Sequence, residues 1–352
     1  MIPPPRHVQV LRALKVGDML CAVPALRAMR RAWPHTRIKL IGLPWARAFV
    51  ERLPGYVDDL LEFPGWPGVP ERDAHVADVV AFLERVNADP PDLAIQLHGS
   101  GVATNAFVAM LGARRTAGTV VPGMFAPDPG TFVPFDPSLS EVHRALAVVE
   151  RLGVPPAGEH LELLVLDEDR AEIAAGPARA LVSSDYAIVH PGASVASRRW
   201  SAASFGRVTR ALAERMPVIV TGTASERSIG AEVAAAADHA DVAEVAGRTS
   251  FGGLAALVAG ARVVVSSDTG VAHVADALGT PSVVVFTGSE TARWAPADRA
   301  LHRVVARAPS NDVSGARAGR GNGNAVAPRA VEPDAVIDAA LDLLFGHAVG
   351  AA

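Results

Sequence analysis

The residues best suited to chemistry cluster between Asp268 and His273, where an apolar run, Val263 to Val265, gives way to a helical pattern that Gly279 ends. Three consecutive valines are what a strand buried on both faces of a parallel sheet looks like. Ser266, Ser267, Asp268 and Thr269 then offer N-cap side chains, and Gly270 allows close backbone approach. A helix starting at a strand's carboxyl end turns free N–H groups and the positive end of its dipole outward, which suits a phosphate. His273 lies one turn in, and its side chain leans back towards that terminus. Asp268 reads as the helix cap, since a carboxylate set against phosphates would be repelled. Thr269, Gly270 and His273 read as ligand contacts, the alternative being a capped helix with a core histidine.

Other turns add polar groups. In HPGASVASRRW, His190 to Trp200, small residues let the chain pass close to a ligand, and Arg198 or Arg199 can reach an anion. A guanidinium suits a diphosphate because its planar fork pairs with two oxygens at once; the alternative is a surface arginine pair. In TGTASER, Thr221 to Arg227, Glu226 either accepts both hydrogen bonds of a ribose diol or serves as a helix-start acid. In the first half, Gly17 and Asp18 follow the first apolar run, and His98, Gly99, Ser100 and Gly101 follow another. Asp18 is either a general base or the N-cap of the first helix.

Motifs that are missing narrow the field. HGSG has no G-x-S-x-G elbow beside it, which disfavours hydrolase chemistry. The sequence contains no G-x-G-x-x-G after the first strand, no G-x-x-x-x-G-K-[ST] and no H-E-x-x-H, so dinucleotide oxidoreductase, P-loop and metal readings lose their main support. A net charge of -4 gives no reason to expect nucleic acid, and Arg27, Arg30 and Arg31 read as a solvated helix face. Cys21 is the only cysteine, which excludes an internal disulfide framework and fits a reducing cytoplasm. No signal-peptide pattern and no apolar run of membrane-spanning length stands in the sequence, which leaves room for peripheral membrane contact.

Elements that must position these turns alternate between strand and helix. Strands are expected at Val8 to Arg12, Ile38 to Leu43, Val57 to Phe63, Leu93 to Leu97 and Thr116 to Val121, with helical patterns between them. Pro24 must sit in the first turn of its helix or kink it. Pro122 to Pro137 reads as an irregular wall, and Asp167 to Ala180 as a connecting helix. From Tyr186 the alternation restarts, so the fold class is α/β, in two doubly wound halves with strand ends around one cleft. The expected division is residues 1–165 and 166–352. Ser310 to Ala327 is rich in Gly, Asn and Arg and reads as a mobile loop.

Read together, these segments resemble glycosyltransferase family 9, the ADP-heptose heptosyltransferases. LKVGDMLCAVPALRAM, LAIQLHGS, HPGASVASRRW, TGTASER, the SFGGLAALVAGARVVVSSDTGVAHVADALGTPSVVVF run and TGSETARWAP follow in family order. The resemblance implies a GT-B fold of two facing Rossmann-like domains. The first would hold the acceptor, with Gly17, His98 and Gly99 on that side, and the second a nucleotide-diphosphate sugar, ADP-linked. By position, Asp18 would be the base that activates the acceptor hydroxyl. Arg198, which stands where the family usually has lysine, would contact the donor phosphates. Glu226 would hold the ribose, while Thr269, Gly270 and His273 would line the diphosphate. The implied reaction is an inverting transfer, with no metal and no cofactor, to a glycan, lipid-linked or small-molecule acceptor. It would take place in the cytoplasm or peripherally at the inner face of the membrane. A sugar-nucleotide epimerase of similar shape and a non-catalytic nucleotide-sugar binding protein are the alternatives.

Overall fold

The structure, a computed structural model, describes residues 3–307 and 330–346. The stretch expected as a mobile loop, Ser310 to Ala327, lies outside the described residues. The chain divides into two compact units, Met1–Leu166 and Asp167–Ala352.

The first unit runs β1 (His7–Leu11), α1 (Val16–Cys21), α2 (Val23–Ala32), β2 (Arg37–Gly42), α3 (Ala46–Val50) and β3 (Asp59–Glu62). It continues through α4 (Val76–Asn87), β4 (Leu93–Gln96), α5 (Thr104–Ala109), β5 (Arg115–Val120), β6 (Phe132–Pro134) and α6 (Glu141–Arg151). Its strands form one parallel sheet in the order β3-β2-β1-β4-β5-β6. All of β1, His-Val-Gln-Val-Leu, is buried, as a central strand covered by helices must be. Neighbours on either side of β1 are reached in opposite directions, so the chain reverses between β1 and β4. A crevice at the carboxyl ends of the strands opens at such a reversal.

The second unit repeats that order. Its strands are β7 (Ala187–His190), β8 (Val218–Val220), β9 (Val242–Glu244), β10 (Val263–Ser267), β11 (Ser282–Phe286) and β12 (His302–Ala306), arranged β9-β8-β7-β10-β11-β12 and all parallel. Its helices are α7 (Asp167–Ala175), α8 (Ala202–Ala213), α9 (Arg227–Ala237), α10 (Phe251–Gly260), α11 (Gly270–Leu278), α12 (Thr291–Trp294) and α13 (Pro333–Phe345). One face of this sheet packs valines of β7, β8, β10 and β11 against Phe205, Val208 and Leu212 of α8 and Val336 and Ala340 of α13. The reversal here falls between β7 and β10.

Four expectations change. The segment from Pro122 to Pro137 contains β6, an edge strand of three residues whose prolines and turns hide its period. β12 joins as the opposite edge of the second sheet. The helix from Asp167 stops at Ala175, before Gly176-Pro177, because a proline ring clashes with a continuing helical turn. Arg27 is not on a solvated face: its side chain is 1% exposed. It donates to the carbonyls of Ala157, Gly158 and His160 and pairs with Glu162 at 3.3 Å, fastening α2 to the segment after α6. Pro24 does sit in the first turn of α2, where its missing N–H costs nothing.

Arg27→Ala should remove several part-buried hydrogen bonds and leave a void. A loss of about 3 kcal/mol is expected in urea unfolding. An unchanged midpoint would show that the segment holds without the arginine.

Candidate functional site

The carboxyl edge of the second sheet gathers most of the polar residues named above. β7 ends in His190, buried between Thr221 beyond β8 and Glu226. Its Nδ1 lies 3.0 Å from the Thr221 hydroxyl and its Nε2 lies 4.0 Å from Glu226 Oε2. Burial pushes the imidazole below its usual range, against the pull of the Glu226 charge. Glu226 sits in the short 3-10 turn Ala224–Glu226, and its Oε2 accepts from the Thr223 N–H and hydroxyl, both at 2.8 Å. Burial raises its carboxyl, but the Thr223 N–H, His190, the Thr223 hydroxyl and Arg199 outweigh that, so the acid stays ionised. It is therefore a helix-start acid, and only through Oε2; Oε1 accepts no hydrogen bond among the described residues.

Gly192 explains how that carboxylate comes so near the β7 turn. A Cβ at this position would lie 2.2 Å from Glu226 Cδ, so any larger residue would drive the acid out. The rest of the HPGASVASRRW turn is tied in place: Arg199 Nε donates to the Ala193 carbonyl at 2.9 Å, and the Thr287 hydroxyl donates to the Ser197 carbonyl at 3.0 Å. Of the two arginines, Arg198 faces the start of α11 and Arg199 braces its own turn. Arg198 is 31% exposed, lies 3.6 Å from Asp268 and stacks 5.8 Å from the Trp294 ring centre.

Asp268 does not cap α11. The N-cap position falls on Thr269, which makes no side-chain cap bond, and α11 begins at Gly270. Ser266 and Ser267 belong to β10 and are buried. The Asp268 carboxylate, 3% exposed, instead accepts from the Ser289 hydroxyl and pairs with Arg198, so it fixes the cation rather than the helix. No side chain therefore occupies the N–H groups of Gly270 and Val271 at the start of α11, which suit a ligand, while that of Ala272 donates to the Thr269 carbonyl at 3.0 Å. His273 is buried one turn below, edge-on to Trp294 with ring centres 6.2 Å apart. Gly279 ends the helix in the left-handed region at φ 66°. A half-exposed guanidinium, an uncapped helix start and a held carboxylate together suit a molecule carrying both phosphates and vicinal hydroxyls.

In the first unit, Gly17 and Asp18 lie inside the first turn of α1, whose N-cap position is Lys15. Asp18 is thus not the N-cap residue: it stands third in the helix. Arg12, buried beyond the end of β1, donates through Nε to the Asp18 carbonyl at 2.6 Å and through Nη1 to the Leu97 carbonyl. Its other nitrogen pairs with Glu141 at 3.5 Å, and Glu141 pairs with Arg144 at 2.8 Å. One guanidinium therefore locks the α1 start, the β4 end and the α6 start together. His98 accepts the Ala13 N–H on Nδ1 at 3.2 Å, so its neutral ring must carry its proton on Nε2, which faces Glu71 at 3.8 Å. Burial and then Arg12 hold its pKa at about 4. With Nδ1 occupied and Nε2 protonated, His98 is a donor and not a base. Gly99, at φ 63°, has open space about it, and its carbonyl accepts from the Thr119 hydroxyl at 2.7 Å. Sequence reading picked out the His190 to Trp200 turn but not the individual parts played by Arg12, His190 and Gly192; each is a polar or small residue at or just past the end of a buried strand, which was the available signal.

The His98 shift makes stability depend on pH with a definite sign. The unfolded ring takes a proton near 6.5 and the folded ring only near 4, so stability present at neutral pH is lost as pH falls through that window. Between about pH 7 and about pH 4, wild-type unfolding free energy should drop on the order of 2 kcal/mol more than that of His98→Gln. Parallel curves in urea titrations would contradict this.

Residues 134–315 match the model of the family described as Glycosyltransferase family 9 (heptosyltransferase). Lipopolysaccharide heptosyltransferase 3 of Escherichia coli K12 is 22% identical over 297 residues, covering 80% of this chain and 82% of its own length. Among solved structures, E. coli ADP-heptose lps heptosyltransferase II superposes with a TM-score of 0.75 at 19% identity, over 97% of this chain and 100% of that one. The E. coli heptosyltransferase WaaC with ADP gives 0.66 at 19% identity, over 86% and 93%. The likeness to these structures shows the GT-B fold, with two Rossmann-like domains.

Proposed function

This chain belongs to glycosyltransferase family 9, and from that premise we propose that it transfers a heptose, with inversion, from ADP-heptose to a hydroxyl of a glycan, lipid-linked or small-molecule acceptor. That it is a glycosyltransferase follows from the family; donor, acceptor and stereochemistry are our reading. The observation that supports the donor reading is the carboxyl edge of the second sheet, which carries Glu226 beyond β8 and, at β10, Arg198 beside the uncapped start of α11 with Thr269, Gly270 and His273. One relative points the same way: E. coli heptosyltransferase WaaC is described with ADP in one solved structure and with ADP-2-deoxy-2-fluoro heptose in another.

In this reading the donor ribose hydroxyls bond to the free Oε1 of Glu226, and the diphosphate lies against the α11 N–H groups and Arg198. Arg198 is held by Asp268, so its charge is in place before the reaction begins, and it costs little reorganisation as charge develops. Asp18 takes the proton of the acceptor hydroxyl while that oxygen attacks the anomeric carbon from the face opposite the diphosphate. The bond from the anomeric carbon to the diphosphate oxygen breaks, and ADP leaves with its new charge met by Arg198 and the helix start. Charge neutralisation by these groups is why we assign a metal-independent transfer. Gly17 and Gly99 leave backbone room for the acceptor, and the Nε2–H of His98 is a donor within the same edge. We assign this work to the cytoplasm, peripherally at the inner membrane face when the acceptor is lipid-linked. No helix among the described residues is long and apolar enough to cross a membrane.

Calorimetry in EDTA should show ADP binding more tightly than UDP or GDP. Arg198→Ala and Glu226→Ala should each weaken it by about tenfold or more. Gly192→Ala should weaken ADP to a similar degree, with a thermal midpoint close to wild type, since the added methyl displaces only the end of the Glu226 side chain. A preference for UDP or GDP would reject the donor while keeping the site. In a transfer assay, Asp18→Asn should lower kcat by about a hundredfold to ten-thousandfold with ADP affinity retained. Full activity in that variant would remove Asp18 as the base.

A further inference from the structure

The first sheet has a second polar edge, where its strands begin, remote along the strands from Asp18 and His98. Two cavities of about 420 and about 330 Å³ lie there and share Arg6, Asp92 and Arg114. The larger adds His7, Arg37 and Asp89, and the smaller adds Arg115 and a wall of Pro3, Pro4 and Pro5. Four guanidiniums thus meet two carboxylates, a local positive excess on a chain whose net charge is -4. One of the carboxylates is already engaged: Asp92 accepts the backbone N–H groups of Arg6 at 2.8 Å and His7 at 3.1 Å, and lies 3.8 Å from Arg114. The guanidiniums of Arg6, Arg37 and Arg115 make no hydrogen bond or ion pair among the described residues. The His7 ring lines the larger cavity, and its Nε2 is buried without a hydrogen-bond partner.

Like charges held in a concavity repel one another more than on an open surface, because low-dielectric walls focus their field, and that same field concentrates counter-ions. Forked guanidiniums match phosphate oxygens two at a time, and the proline wall is rigid and offers no N–H to compete for them. A volume of about 420 Å³ is that of a small-molecule site. From this arrangement we infer that the amino edge of the first sheet is a second anion site that takes a phosphate-bearing group, separate from the residues assigned to the transfer. Such a group belongs either to a soluble phosphorylated compound or to an anionic lipid headgroup, and the chemistry of recognition is the same.

The test uses the full chain, inorganic pyrophosphate in calorimetry, and sedimentation with phosphatidylcholine vesicles with and without phosphatidylglycerol. It compares wild type, the triple variant Arg6→Gln/Arg37→Gln/Arg115→Gln, the single variant Arg37→Gln, and Arg198→Ala. Wild type should bind pyrophosphate, anionic vesicles or both, more weakly as salt rises. The triple variant should lose about tenfold or more of that binding and Arg37→Gln a smaller part. Arg198→Ala should retain the vesicle binding and the pyrophosphate binding of this edge. Transferase activity should be unchanged in the triple variant, which confirms that it folds. Pyrophosphate binding alone identifies a soluble phosphate ligand, and vesicle binding alone a headgroup. No binding of either probe by wild type, or equal binding by wild type and the triple variant, would overturn the inference.

Discussion

A parallel sheet covered on both faces has no polar surface except at the ends of its strands, and the structure depends on that constraint. Faces of β1, β7 and β10 are apolar or fully buried, so the groups able to meet a charged ligand are displaced to the strand ends and the turns beyond them. The reversal of strand order in each unit then decides which turns stand together. In the first unit it brings the ends of β1 and β4 side by side, with Asp18 and His98. In the second it brings together the ends of β7 and β10, with Gly192, Arg198 and Asp268. Shared order in the two sheets therefore produces two polar edges from unrelated sets of residues.

Within those edges, charges are held by other charges and by the backbone rather than left to solvent. Asp268 fixes Arg198, Thr223 fixes Glu226, and Arg12 fixes the carbonyls around Asp18. Asp268 and Arg12 are buried, where an unpaired partner would be costly and the geometry is correspondingly narrow, while Thr223 is exposed. The same logic makes histidines neutral here. His98 and His190 are both driven below their usual range by burial, and their rings serve as oriented hydrogen-bonding groups.

Much of this was legible in the sequence because the period of apolar residues and the turn chemistry agree. VVV followed by SSDTG is readable as a strand, a turn and a helix start, and Gly279 as its end, since each step has a local cause. What could not be read were side-chain partners distant in sequence. Asp268 looked like a cap because its neighbours suggested a helix start; its actual partners, Ser289 and Arg198, are far along the chain. Arg27 looked solvated beside Arg30 and Arg31, but the carbonyls that bury it belong to residues 157 to 160. β6 escaped notice because an edge strand needs pairing on one side only, and three residues carry no period.

Among the described residues every strand pair joins strands of the same unit, and the strands of the first sheet all lie before Leu166. During synthesis, then, the amino-terminal unit can close its whole hydrogen-bond ladder as soon as that residue clears the ribosome. It need not wait, with open strand edges, for a partner strand encoded later. Chains that interleave strands from both halves expose such edges for the duration of translation and are prone to aggregate. Sequential topology protects this protein while it is being made.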